Sequence, residues 1–134
     1  MLYFAYGSNM NGARMAGRVP AARKVGIARL PGWRLRERLY ADAEPCMGGE
    51  VFGVLWELDA DGFARLDRFE GSPSVYVRTT APVEIPGGER RTAFVYTMTP
   101  ASRAERKRRK YPDQYRKICS DGARENGLPD AFAG

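Results

Sequence analysis

Tyr3-Phe4-Ala5-Tyr6-Gly7-Ser8-Asn9-Met10 is the stretch on which the fold turns. Leu2 to Tyr6 is apolar and aromatic, the composition of a buried strand. Three small or polar residues then stop it, and Gly7-Ser8-Asn9 permits a sharp reversal. A glycine there lets backbone approach a ligand closely, and successive N–H groups in such a turn can face an anion or a carbonyl oxygen. A strand that ends in a donor-rich turn is one way to build a binding site.

Outward from this turn, Asn11 to Gly17 suits a short helix. Lys24 to Arg36 and Glu50 to Leu58 suit strands. The second is apolar on both faces until its end, as expected of a central strand. Asp59 is placed to cap a helix running to about Glu70, with Phe63, Leu66 and Phe69 as its buried stripe and Gly71 at the C′ position. Val75 to Ile85 and Arg91 to Met98, joined through Pro86-Gly87-Gly88-Glu89, form a predicted hairpin. Ala101 to Lys110 is polar and basic. Pro112 to Asn126 is a last predicted helix, with Tyr115, Ile118 and Cys119 on one face. Strands and helices mixed in this order indicate an α+β class. No repeat or linker divides the chain, so residues 1–134 are expected to make one domain.

Composition narrows the chemistry. The chain of 134 residues contains no histidine, which removes His-based nucleophilic and metal systems. Any acid–base work falls to a carboxylate, Lys, Tyr or Cys. Cys46 and Cys119 stand far apart and form no CxxC pair, which suits reduced thiols in a cytoplasm. No apolar run approaches the roughly 18 residues of a membrane span, and no signal peptide is visible. The net charge of +6 is carried mainly by arginine and favours acidic partners. Arg103 to Lys110 concentrates that charge and is expected to be a mobile, solvated surface loop. No aromatic residue interleaves with it, which weakens a reading as a single-strand nucleic-acid binder.

Glu70 is the carboxylate best placed for proton transfer. At a helix end the macrodipole disfavours a second negative charge, and Phe69 beside it and Asp67 one turn back should also raise its pKa. Tyr3, Tyr6, Tyr76, Tyr96 and Tyr115 have apolar bodies and polar tips suited to lining a small polar pocket.

Together these segments resemble the γ-glutamylcyclotransferase family. The resemblance is carried by Tyr3 through Met10, Gly53-Val54-Leu55-Trp56, Leu66-Asp67-Arg68-Phe69-Glu70-Gly71 with Tyr76 after it, Val95-Tyr96-Thr97-Met98, Gln114-Tyr115-Arg116-Lys117-Ile118, and Gly122-Ala123-Arg124-Glu125-Asn126-Gly127-Leu128-Pro129. It runs through nearly the whole chain in order. It implies a mixed fold with a compact, barrel-like sheet and flanking helices, and a cofactor-free, metal-free lyase reaction connected with glutathione metabolism. In that reaction the α-amine of a γ-glutamyl amide closes on its own γ-carbonyl, giving 5-oxoproline and a free amine. By the same resemblance Glu70 is the acid–base residue, and the substrate-binding loop is Tyr3, Phe4, Ala5, Tyr6, Gly7, Ser8 and Asn9. Tyr76, Tyr96 and Tyr115 are pocket residues. The partner is then a small γ-glutamyl compound, with neither membrane nor nucleic acid expected and a homodimer left open. Two features depart from the family pattern. The Arg38 to Glu50 stretch is short, and Arg103 to Lys110 is unusually basic. The alternatives are a related cyclotransferase that deblocks a γ-glutamylated biosynthetic intermediate, and a non-catalytic basic module for nucleic acid.

Overall fold

Ten elements follow one another in the computed structural model, which describes residues 1–133. Strand β1 (Leu2–Ala5) leads through a 3₁₀ turn (Ser8–Met10) into helix α1 (Gly12–Arg18). Two long strands come next, β2 (Arg23–Arg38) and β3 (Tyr40–Glu57), followed by α2 (Ala60–Phe69). The chain continues through β4 (Tyr76–Glu84), β5 (Arg90–Met98), α3 (Pro100–Arg106) and α4 (Asp113–Glu125). The five strands close into a barrel in the order β1-β3-β2-β4-β5. All contacts are antiparallel except the seam where β1 runs parallel to β5, at Tyr3 opposite Phe94. The expected α+β, barrel-like architecture is therefore present.

β3 holds the sheet together because it pairs with β1 along one edge and β2 along the other. Its end is apolar on both faces, and Val54, Leu55 and Trp56 are all buried. The strand is much longer than the predicted Glu50–Leu58. It begins at Tyr40, directly after Leu39, whose φ of 66° reverses the chain in one residue. Charges and small residues between Tyr40 and Gly49 conceal this from a hydrophobic pattern. The pairing steps out of register at Pro31/Trp33, where Cys46 to Gly49 bulge from the ladder. Both cysteines are free thiols.

The helix α2 starts as expected. The Asp59 carboxylate accepts the Gly62 N–H at 2.8 Å, and Gly71 lies past the end with a φ of +64°. Phe63 and Leu66 are buried, but Phe69 is 54% exposed. At about 100° per residue, a side chain six positions on has rotated about 120° off the first one's face. Phe69 instead carries the Arg18 guanidinium, 4.9 Å from its ring centroid. The core runs through Phe4, Leu30, Val54, Leu55, Phe63, Val83 and Val95, each 1% exposed or less. Truncating one of the larger of these side chains to Ala should cost about 3–5 kcal/mol.

The basic segment is the clearest correction. Thr99 caps a helix by accepting the Ser102 N–H, and Pro100 occupies its first turn. Arg103 is not a solvated loop residue: it reaches the fully buried Asp42, with Nε 3.0 Å from the carboxylate. Lys107 to Lys110 are exposed, as expected. Like-charge repulsion argues for a loop only when the charges lack partners, and Asp42 supplies one.

The terminal Gly-Ala-Arg-Glu-Asn-Gly run braces the opening turn. Glu125 accepts the Gly12 N–H at 2.6 Å, and Asn126 donates to the Met10 carbonyl at 3.1 Å. A Cβ on Gly122 would come within 2.7 Å of the Asn11 nitrogen, so only glycine allows this approach. No helix among the described residues is long and apolar enough to cross a membrane.

Candidate active site

A cavity of about 310 Å³ opens where the end of β1, its 3₁₀ turn and the C-terminus of α2 meet. Tyr3, Phe4, Tyr6, Gly7, Ser8, Asn9, Glu70, Tyr76, Tyr96 and Tyr115 all line it. Ala5 does not: it is buried within β1 opposite Val54.

Asn9 organises one wall. Its Nδ2 donates to the Tyr3 hydroxyl at 3.0 Å and to Glu70 Oε1 at 3.2 Å. Its backbone carbonyl accepts the Trp56 indole N–H at 3.0 Å, which ties the turn to β3. Its side-chain oxygen accepts from Arg18 at 3.3 Å. Gly7 is small for a reason: a Cβ there would lie 3.0 Å from the Tyr115 hydroxyl and 3.1 Å from the Ala41 methyl. The N–H groups at the start of a 3₁₀ turn have no acceptor within it, which leaves those of Ser8 and Asn9 beside the cavity.

Glu70 sits at the C-cap of α2, its N–H bonded to the Leu66 carbonyl at 2.8 Å. The side chain is 17% exposed and has one hydrogen bond, from Asn9, with Arg18 at 3.9 Å. Burial pushes its pKa up to about 6, against the opposing pull of Arg18, Arg14 and the Asn9 bond. The rise was expected, but its cause is different. Asp67 does not act on Glu70. It accepts from the Tyr96 hydroxyl at 2.6 Å and from Arg78 at 3.3 Å.

Tyr3, Tyr6, Tyr76, Tyr96 and Tyr115 each have a hydrogen-bond partner. Tyr6 donates to the Tyr96 carbonyl at 2.6 Å. Tyr76 donates to the Ala41 carbonyl at 2.7 Å, and the Tyr115 hydroxyl accepts the Ala41 N–H at 3.0 Å. Burial raises the pKa of Tyr3, Tyr6, Tyr76, Tyr96 and Tyr115 above the usual phenol value. It also lifts the Cys119 thiol to about 12. These groups stay protonated near neutral pH. They can donate or orient, whereas Glu70, with a pKa of about 6, can exchange a proton there.

The cavity also includes Arg14, Arg18, Tyr40 and Ala41, which the sequence reading passed over, and Arg106, which it placed in a mobile basic loop. Arg14 and Arg18, four apart on α1, carried a usable signal, since that spacing puts both on one helical face next to the turn. Tyr40 and Ala41 belong to the short Arg38–Glu50 stretch, which therefore still supplies part of the wall.

Comparison with known proteins follows the same outline. Residues 3–117 match the family described as gamma-glutamyl cyclotransferase, AIG2-like. The chain is similar to the gamma-glutamylcyclotransferase of Mus musculus, 34% identical with 98% of this chain and 74% of that protein covered. It is likewise 34% identical to the gamma-glutamylcyclotransferase of Homo sapiens, with 96% and 72% covered. A solved structure titled gamma-glutamyl cyclotransferase superposes with a TM-score of 0.81 at 31% identity, over 96% of this chain and 81% of that one.

Proposed function

The chain belongs to the gamma-glutamyl cyclotransferase, AIG2-like family, and from that premise we propose that it is a γ-glutamylcyclotransferase that releases 5-oxoproline from γ-glutamyl amides, with Glu70 as general acid and base. The observation that carries this reading is a largely buried carboxyl with a pKa of about 6, in a cavity where burial holds Tyr3, Tyr76 and Tyr115 protonated.

The substrate brings its own nucleophile. Held folded in the cavity, its α-amine lies against its γ-carbonyl carbon, and closing a five-membered ring from that posture gains from proximity. The Glu70 carboxylate takes a proton from the amine as the new N–C bond forms. The tetrahedral centre collapses as the old C–N bond breaks, and Glu70 returns the proton to the departing amine. No water is consumed, and the proton count is unchanged between substrate and products. A carboxyl titrating near 6 suits both halves of this exchange, because neither protonation state is far from neutral pH.

The remaining residues orient. N–H groups of the Gly7-Ser8-Asn9 turn serve a substrate oxygen, which they can stabilise as charge develops. Asn9 fixes the Glu70 carboxylate, and its contact with Tyr3 limits its own rotation. Tyr76 and Tyr115 hold the hairpin tip at Ala41 and so shape the opposite wall. The test is incubation with a panel of γ-glutamyl compounds, with 5-oxoproline measured by mass spectrometry. Release of 5-oxoproline together with stoichiometric free amine is expected. Release of glutamate instead would mean that water, not the α-amine, is the nucleophile.

A further inference from the structure

Helix α3 turns two arginines inward, and they meet different fates. Arg103 pairs with Asp42 at 3.0 Å. Arg106, less than one turn later, lines the Glu70 cavity, its guanidinium carbon 5.7 Å from the Tyr40 ring centroid. Its Nη1 is buried and has no hydrogen-bond acceptor among the described residues. A buried cationic donor without an acceptor is costly, and an arriving anion would remove that cost.

The cavity lining holds two further arginines beside Glu70. Arg18 and Arg14 are the cations that act on Glu70, and the Arg14 Nε also lacks an acceptor. Tyr76 lines the same cavity and feels the charge of both Glu70 and Arg106. A γ-glutamyl substrate always carries one carboxylate, on the carbon that bears the attacking amine. That amine must reach Glu70, which places this first carboxylate towards Arg14 and Arg18. A second carboxylate exists only when the leaving group is an amino acid, and then it lies one carbon beyond the departing nitrogen. A γ-glutamyl derivative of a simple amine gives Arg106 nothing to bind.

We propose that Arg106 recognises a carboxylate on the leaving amine, so that it selects γ-glutamyl amino acids over γ-glutamyl derivatives of simple amines. This rests on the cyclotransferase reading above. A matched pair tests it: γ-L-glutamyl-L-alanine and γ-L-glutamylethylamine differ only in that carboxylate. For the wild-type chain, kcat/KM for 5-oxoproline release should favour the alanine compound by roughly tenfold to a hundredfold, the scale of a charge-assisted hydrogen bond. In Arg106→Gln that ratio should collapse towards one, with most of the loss in KM for γ-glutamylalanine. Arg106→Lys, which keeps charge but not the planar fork, should retain an intermediate ratio and guards against a Gln variant that fails to fold. An equal loss on both substrates in Arg106→Gln, or no preference in the wild-type chain, overturns the assignment while leaving the cyclotransferase reading intact. Absence of 5-oxoproline from both substrates with the wild-type chain overturns that reading, and this assignment with it.

Discussion

Asp42 and Glu70 are both withdrawn from solvent, and their surroundings differ in kind. The Asp42 side chain is fully buried and saturated: it accepts the Met98 N–H at 2.9 Å, Arg38 at 2.7 Å and Arg103 at 3.0 Å. Those bonds join β2, β3, β5 and α3 at one point. Glu70 has a single 3.2 Å hydrogen bond and a cation at 3.9 Å, beyond hydrogen-bonding reach. A carboxylate with a full set of donors serves as a joint. One that is buried and short of donors binds a proton more tightly than an exposed carboxyl does, so it can take one up and return it near neutral pH. Burial alone does not distinguish a structural acid from a reactive one; the donor count does.

The largest test of this contrast is Glu70→Gln. With an acid–base role, turnover should fall roughly 10²-fold or more in a 5-oxoproline assay, while substrate binding and fold persist. Near-normal kcat would break the comparison, and Asp67 would be tested next. Asp42→Asn should act on the other axis. It leaves Arg38 and Arg103 without a full counter-charge, and a broken buried pair costs about 3 kcal/mol, read as a lower denaturation midpoint. Glu70→Gln should move stability the opposite way. Because Glu70 binds its proton more tightly in the folded chain, the stability it lends is present below the ordinary carboxyl value and is lost as pH rises through about 6. At pH 8 the Gln variant should therefore exceed the wild-type chain by an amount on the order of 2 kcal/mol, the gap closing below about pH 5. If both substitutions destabilise equally at pH 8, the distinction between the two carboxylates fails.

A smaller effect sharpens the same point. The base must be ionised, so kcat/KM should fall as pH drops through about 6, and an acidic limb near 4 would mean that Glu70 is less desolvated than its surroundings imply. The smallest effect concerns the outer cations. Neutralising Lys107, Arg108, Arg109 and Lys110 should raise KM for an anionic substrate only at low ionic strength, with kcat unchanged, because exposed charges are screened. A salt-independent loss of kcat would mean that one of them reaches the reacting groups.

What could be read in advance follows the range of the interactions. Local chemistry was legible: the Asp59 cap, the Gly71 stop, the Pro86–Glu89 turn and the two-faced apolar end of β3 are each written within a few residues. Glu70 stood out through its motif. The reason for its proton affinity did not, since it is burial by parts of the chain distant in sequence, set against the opposing pull of Asn9 and Arg18. For the same reason Asp67 looked like its neighbour in charge, whereas Tyr96 and Arg78 engage it from another strand pair. The start of β3 and the helix α3 were hidden by composition. In both, charged residues that suggest solvent turn inward onto one another through Asp42, Arg38 and Arg103. Nothing in a single segment announces a partnership of that kind.

The grip on Ala41 has a consequence for how such a pocket can diversify. Tyr76 and Tyr115 hold its carbonyl and its N–H, groups that almost every residue possesses, so the anchor does not depend on which side chain the hairpin tip carries. Tyr40, the adjacent residue, faces the cavity and lies against both Tyr115 and Arg106. Over evolutionary time, position 40 is thus free to be rewritten while the frame beside it stays still. The chain separates the part of its wall that must not move from the part that can acquire a new preference.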